Sequence, residues 1–99
     1  MEDTTRKITP FTLGQVLMTA NIQSLIEYSQ LTNEFIFESL KRHVRGDWGN
    51  LEDEDKAVND ESLKTGCRIL SAYKHNEIDI WIITEADRSA TTVLLPSDY

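Results

Sequence analysis

Apolar residues recur along this chain with two different periods. Between Ala20 and Val44 they return at three- and four-residue steps, the spacing of a helix face. Between Cys67 and Leu95 they alternate with polar residues or run on as Ile, Val, Thr, Tyr and Trp, the pattern of strands. In the first region Ile22, Leu25 and Ile26 share one face of a short helix over 20–28, and Thr19 stands before it as an N-cap. Thr32 caps a second helix over 33–45, whose stripe is Ile36, Phe37, Leu40 and Val44. Lys41, Arg42 and Arg45 fall in its last turns, where cations complement the carbonyl end of the dipole, and Gly46 follows as a stop.

Residues 11–18 read two ways. Phe11, Leu13, Gln15 and Leu17 alternate with Thr12, Gly14, Val16 and Met18 as in a strand, yet Val16 and Leu17 also suit the start of a helix. Gly14 weakens both. A strand is preferred, because Thr19 then caps the helix directly after it.

Past the loop Asp47-Trp48-Gly49-Asn50, residues 52–61 hold Glu52, Asp53, Glu54, Asp55, Asp60 and Glu61 against the single Lys56. Negative charge at the start of a third helix is favoured by its free N–H groups, and Asp60 is one turn from Lys64. Only Ala57, Val58 and Leu63 are apolar, so this helix packs lightly and ends at Gly66.

Residues 67–74, 77–85 and 90–95 read as three strands. A two-residue turn at His75-Asn76 would set Lys74 opposite Glu77. Ile69, Ser71 and Tyr73 then share a face with Ile78, Ile80 and Ile82, while Leu70, Trp81 and Ile83 point the other way. If Ala86-Asp87-Arg88-Ser89 forms the next loop, Glu85 pairs with Ala90. Val93 then joins the Ile80/Ile82 face, and Thr92 and Leu94 join Trp81 and Ile83. A slip of one residue would turn every side chain of the last strand over. The charges at the tip are therefore sufficiently explained as a bend, with Asp87 and Ser89 as turn formers and Arg88 in water or reaching back to Glu85.

Composition narrows the class. A chain of 99 residues, 39% hydrophobic and 27% charged, is one small globular domain rather than a disordered segment. The expected division is a flexible segment 1–10 and a domain over 11–99. The opening MEDTTRKITP has no apolar signal-peptide core, and Ile80-Trp81-Ile82-Ile83 is far too short to span a bilayer. The lone Cys67 rules out an internal disulfide and fits a reducing cytoplasm. A net charge of −7 argues against direct nucleic-acid binding. It leaves open imitation of DNA or docking on a basic partner.

The richest candidate chemistry is "RHVRGDWGN", residues 42–50, which puts His43, Arg45, Asp47 and Trp48 around two glycines. A histidine beside a carboxylate can act as general acid or base, and Trp48 could stack on a ligand or fill a partner's pocket. The plainer reading makes Gly46 a cap, Asp47 and Asn50 turn formers, and Trp48 and His43 core-edge residues. A metal site would draw on His43, His75 and the acidic run, but no ligand spacing matches and none is expected. Consecutive Glu52 to Asp55 splay around a helix. Cys67 has only Arg68 beside it and reads as a core thiol. No phosphate-cradling glycine motif occurs and no cofactor is expected. Trp81 with Leu70, Ile83 and Leu94 forms an apolar patch, and hence a candidate interface, if helices cover only the opposite sheet face.

At "RHVRGDWGN", "GCRILSAY" and "IWIITEADRSATTVLLPSDY" the chain resembles a group of small uncharacterised bacterial proteins carried on plasmids, prophages and integrated elements. They are labelled plasmid-related or as a subunit of a type I restriction-modification methylase. The resemblance runs from about Phe11 to Tyr99 and carries no catalytic residues with it. Ninety-nine residues cannot house a methyltransferase domain, so what the resemblance implies is a mobile-element setting.

The expectation is an α+β domain: an N-terminal strand, three short helices, and a three-stranded antiparallel meander with the helices on one face. Its expected function is that of a non-enzymatic accessory protein, a monomer or weak homodimer in the cytoplasm. It would bind another protein through the Trp48 loop, the acidic helix or the Trp81 face. One alternative is an acidic DNA mimic that inhibits a restriction or other defence enzyme, using Glu52, Asp53, Asp55, Asp60 and Glu61. The other is a small hydrolase or nuclease using His43, Asp47, Asp87 and Arg88.

Overall fold

The computed structural model describes residues 9–99. Strand β1 (Gln15–Met18) leads into helices α1 (Ala20–Glu27), α2 (Asn33–Val44) and α3 (Asp53–Thr65). Strands β2 (Ile69–His75), β3 (Ile78–Thr84) and β4 (Ala90–Leu94) follow, then a 3-10 turn at Pro96–Asp98. Apart from Thr9 and Pro10, the expected flexible segment lies outside the described residues.

β2, β3 and β4 form the antiparallel meander, but the sheet has a fourth strand. β1 adds beside β4, parallel to it, giving a mixed sheet in the order β1-β4-β3-β2. The strand expected over 11–18 is shortened to its second half. At Gly14 the backbone turns left-handed (φ +66°), and a Cβ there would sit 2.4 Å from the Ser89 carbonyl oxygen. That close approach lets the Gln15 N–H donate to Ser89 O at 3.0 Å and start the pairing. Phe11, left outside the strand, is buried with Trp48 and Ile69 in a second small cluster.

The β3–β4 pairing follows the alternation. The Glu85 N–H donates to Ala90 O at 3.0 Å, and Ile82 lies opposite Val93. The β2–β3 turn differs from expectation by one residue. It is Asn76-Glu77, both left-handed (φ +51° and +66°), as a two-residue hairpin of matching twist requires. Asparagine tolerates that conformation at the first position. His75 therefore joins the strand opposite Ile78 and stacks on Phe35, ring centroids 4.7 Å apart. Lys74 meets Asp79 at 3.4 Å instead of Glu77. The register moves by two residues, so no side chain changes face.

On the inner face Ile69, Tyr73, Ile80, Ile82 and Val93 are buried. All but Ile69 pack with Ile22 of α1, Leu31 of the α1–α2 connection and Ile36 of α2 in the main core. Each fully buried isoleucine contributes about 1.5–3 kcal/mol relative to exposure. Thr19 and Thr32 cap α1 and α2 as expected, accepting from the N–H groups of Ile22 and Phe35. The buried stripe of α2 is rotated from the expected one: Ile36, Ser39 and His43 face inward, whereas Phe37 is 62% exposed. α2 closes with the Gly46 N–H on His43 O and the Asp47 N–H on Arg42 O, at 3.0 and 2.9 Å. α1 closes in the same way, with Ser29 in the left-handed position (φ +64°).

α1 and α2 cover the inner face. α3 does not join them: lacking an apolar stripe, it packs beside the edge of β2. There Asn59 donates to Leu70 O at 2.6 Å and accepts from the Leu70 N–H at 3.2 Å. Residues 48–50 cover the next stretch of this edge. The Ala72 N–H donates to Trp48 O at 3.2 Å, and the Asn50 N–H donates to Ala72 O at 2.7 Å. Gly49, at φ +75°, permits that bridge, because a Cβ there would lie 1.9 Å from Ala72 O. Backbone groups that would recruit another strand are thus occupied.

Candidate functional site

His43 is completely buried, and both ring nitrogens have hydroxyl partners: Nδ1 lies 2.5 Å from Ser71 Oγ and Nε2 2.9 Å from Thr84 Oγ1. Thr84 Oγ1 lies 2.7 Å from Thr91 Oγ1, which donates to the Leu13 carbonyl at 2.7 Å. The carbonyl end orients the whole chain, since a carbonyl only accepts. The Thr91 proton goes to Leu13, so Thr91 accepts from Thr84. Thr84 has then used its proton and accepts from His43 Nε2–H. Nδ1 is left as an acceptor for Ser71. The imidazole is therefore a neutral Nε2–H tautomer, and burial lowers its pKa to about 4. The Phe11 and Trp48 rings meet it in T-shaped arrangements, with centroids 5.2 and 6.1 Å from its own. Both nitrogens are engaged and screened from water, so His43 has no lone pair or proton to offer a substrate.

The rest of "RHVRGDWGN" is also drawn into the fold. Asp47 does not reach His43. Its carboxylate accepts from Arg42 at 2.7 and 3.2 Å and from the Gly49 N–H at 3.2 Å. The Arg42 hydrogen bond holds the Asp47 carboxyl below its usual range, and the same bond raises the Arg42 guanidinium. Arg42 lies over the Tyr73 ring at 4.7 Å. The Tyr73 hydroxyl donates to the Asp47 carbonyl at 2.5 Å, and burial pushes its pKa up to about 12. Trp48 is buried, and its indole N–H donates to Asp60 at 3.0 Å. Neither a stacking ligand nor a partner's pocket can take its ring. Arg45 is exposed at the helix end.

The hairpin tip is a fastening. Arg88, left-handed at φ +60°, donates to the carbonyl oxygens of Cys67 (2.7 Å), Glu85 (3.1 Å) and Ser62 (3.3 Å). It ties the β3–β4 loop to the C-terminal end of α3, where free carbonyls favour a cation. Asp87 is fully exposed and accepts from the Ser89 N–H at 2.9 Å. Its bonds to Ser89, first from the side chain and then from the backbone, lower its pKa. Of the four residues of the hydrolase reading, three are bound into local structure and the fourth closes its own turn.

Glu52, Asp53, Asp55 and Glu61 are exposed along α3; Asp60, expected beside Lys64, accepts from Trp48. Cys67 is exposed rather than in the core. Among the described residues no group of three or more His, Cys, Asp or Glu side chains is placed to hold a metal ion. On the outer sheet face Ile83 and Leu94 are buried and Trp81 is half-buried, so the patch is only partly covered. The Tyr99 ring meets Trp81 edge-on at 5.8 Å, and its hydroxyl accepts from Arg68 at 2.6 Å.

Ser71, Thr84 and Thr91 are the residues that reading the sequence passed over. Their signal was present in the alternation. Each occupies an inward strand position among isoleucine, tyrosine and valine, and a buried hydroxyl requires a polar partner. His43, seven residues after Ile36 on the same helix face, is that partner.

Among the described residues no helix is long and apolar enough to cross a membrane. No family model, no curated protein and no solved structure matches the chain.

Proposed function

We propose that this chain is a non-enzymatic, cytoplasmic accessory protein of a bacterial mobile element, acting by binding another protein. One observation carries the proposal. His43, the side chain best suited to acid–base chemistry, has both ring nitrogens engaged inside the fold. What the surface offers instead is apolar and acidic: Tyr28, Phe37, Val58 and Tyr99 are more than half exposed, and the α3 side chains Asp53, Glu54, Asp55 and Glu61 are exposed to solvent. The mobile-element setting rests on the resemblance of residues 42–50, 66–73 and 80–99. The test is cross-linking and affinity capture of the tagged protein in a bacterium that carries it, followed by mass spectrometry. A stoichiometric protein partner is expected. A chain that remains a free monomer through cross-linking overturns the proposal.

A second reading, the acidic DNA mimic, draws support from the exposure of Glu52, Asp53, Asp55 and Glu61. It calls for salt-sensitive binding to a DNA-handling enzyme that disappears when these carboxylates become amides. Binding that survives those substitutions counts against it.

A further inference from the structure

We propose that two copies of this chain join through β1, antiparallel to each other about a two-fold axis at Leu17, so that the two four-stranded sheets become one. This goes beyond the reading above and does not depend on which other protein the chain binds. The backbone sets the register. The Gln15 and Thr19 N–H groups donate to Ser89 O and Val93 O, on the β4 side, at 3.0 and 3.1 Å. Backbone groups alternate in direction along a strand, so those of Val16 and Met18 point away from β4. Among the described residues nothing hydrogen-bonds to them there. These open positions stand symmetrically about Leu17. With Leu17 on the axis, Val16 of each copy exchanges both N–H···O bonds with Met18 of the other. The two Leu17 side chains then meet as a non-hydrogen-bonded pair, with Cα atoms about 4.5 Å apart.

Charge, order and closure select a second copy as the occupant. Residues 8–26 contain no Asp, Glu, Lys or Arg, the longest such run in a chain with 17 acidic and 10 basic residues. In a two-fold pair a residue at the axis meets its own kind, so a charge there would face its like, and β1 carries none. Val16 and Leu17 are 44% and 42% exposed, apolar area that the pairing covers. Each β1 is already held extended by β4, so the pairing orders no new chain, a cost that a disordered peptide would bear. The β2 edge is occupied by Asn59 and residues 48–50. A sheet joined at β1 therefore has no open edge left and stops at two copies. β1 is four residues long, so the contact is brief and the dimer assembles as concentration rises.

The test is sedimentation equilibrium of the full-length protein at concentrations up to about 500 μM, with amide exchange read in parallel. A monomer–dimer equilibrium is expected, and the Val16 and Met18 amides should slow as the dimer forms. Added salt should tighten it, because two copies of net charge −7 then repel less. Leu17→Lys, which sets two cations face to face, should weaken it roughly tenfold or more. In a Cys67→Ser background, Leu17→Cys should oxidise readily to a covalent dimer. Gln15→Cys should not, since the register holds the two Gln15 residues about 14 Å apart. These side chains are exposed, and an unchanged melting curve confirms that the variants fold. Protein that stays monomeric over this range, whatever else binds at β1, overturns the proposal. So does a dimer indifferent to Leu17→Lys, or equal cross-linking of the two cysteine variants.

Discussion

His43 of α2 donates through Nε2 to Thr84 Oγ1 of β3 across 2.9 Å, inside a core built mainly of isoleucine. This bond and the Ser71–Nδ1 bond join the helix layer to two strands. Thr84 and Thr91 carry the line to a third strand and to the segment before β1. Among the described residues no buried side-chain nitrogen or oxygen lacks a partner. The network is therefore fully satisfied, the condition under which a buried polar chain specifies a core rather than weakening it.

Stability should fall in mild acid. The folded pKa of His43 is about 4 against 6.5 for a free imidazole, so between those values the unfolded chain binds more protons. The contribution is fully present above pH 6.5 and is lost as pH falls through 4. Denaturation at pH 7.5 and pH 5 should differ by about 2 kcal/mol from this group, and the difference should vanish in His43→Gln. Equal pH dependence in the two proteins would refute the assignment.

Thr84→Val should destabilise by about 1–3 kcal/mol, because it strands the imidazole N–H in an apolar interior. Thr91→Val should cost a similar amount by stranding Leu13 O and the Thr84 hydroxyl. Together the two should cost less than their sum by about 0.5–1.5 kcal/mol, since their shared bond is lost only once. Strict additivity in a double-mutant cycle would mean that Thr84 and Thr91 do not touch.

Gly49→Ala should cost about 2–4 kcal/mol, beyond the roughly 1–2 kcal/mol of a left-handed φ alone. The added methyl would overlap Ala72 O, so the bridge between residues 48–50 and β2 must open. Amide exchange at Asn50 and Ala72 should accelerate more than exchange in β4. Protection unchanged at those two amides would exclude the bridge.

Ser29→Gly should act in the opposite direction. Ser29 holds the left-handed position that ends α1, and glycine removes the Cβ clash at some expense in unfolded-chain freedom. The expected gain is about 0.5–1 kcal/mol, read as a rise of a few degrees in Tm. A lowered Tm would mean the serine side chain contributes more than its strain removes.

Much of the sheet was legible because period-two alternation and turn length determine the face of each residue. Val93 meets Ile82 for that reason. The alternation alone does not distinguish a turn at His75-Asn76 from one at Asn76-Glu77, because both pairings keep the same faces and only the left-handed geometry at Asn76 and Glu77 separates them. The partner of β1 was not legible, since a parallel pairing with β4 leaves no local trace. The α2 stripe departs from its apolar pattern through one polar member: Phe37 is apolar and outside, His43 polar and inside. The turn position of Arg88 follows from its neighbours, but two of its three carbonyl partners, Cys67 and Ser62, come from segments that only folding brings to it.

The parallel pairing of β1 with β4 has a consequence for synthesis. β1 ends at Met18 and β4 begins at Ala90, so at about 5–20 residues per second the ribosome leaves the first strand without its neighbour for about 4–15 s. The helices can form in that interval, but the sheet cannot close until the late hairpin emerges. The nascent chain thus carries an uncharged Gln15-Val16-Leu17-Met18 ribbon, apolar at its last three positions, through most of its birth, exposed to any chaperone or competing strand that reaches it first.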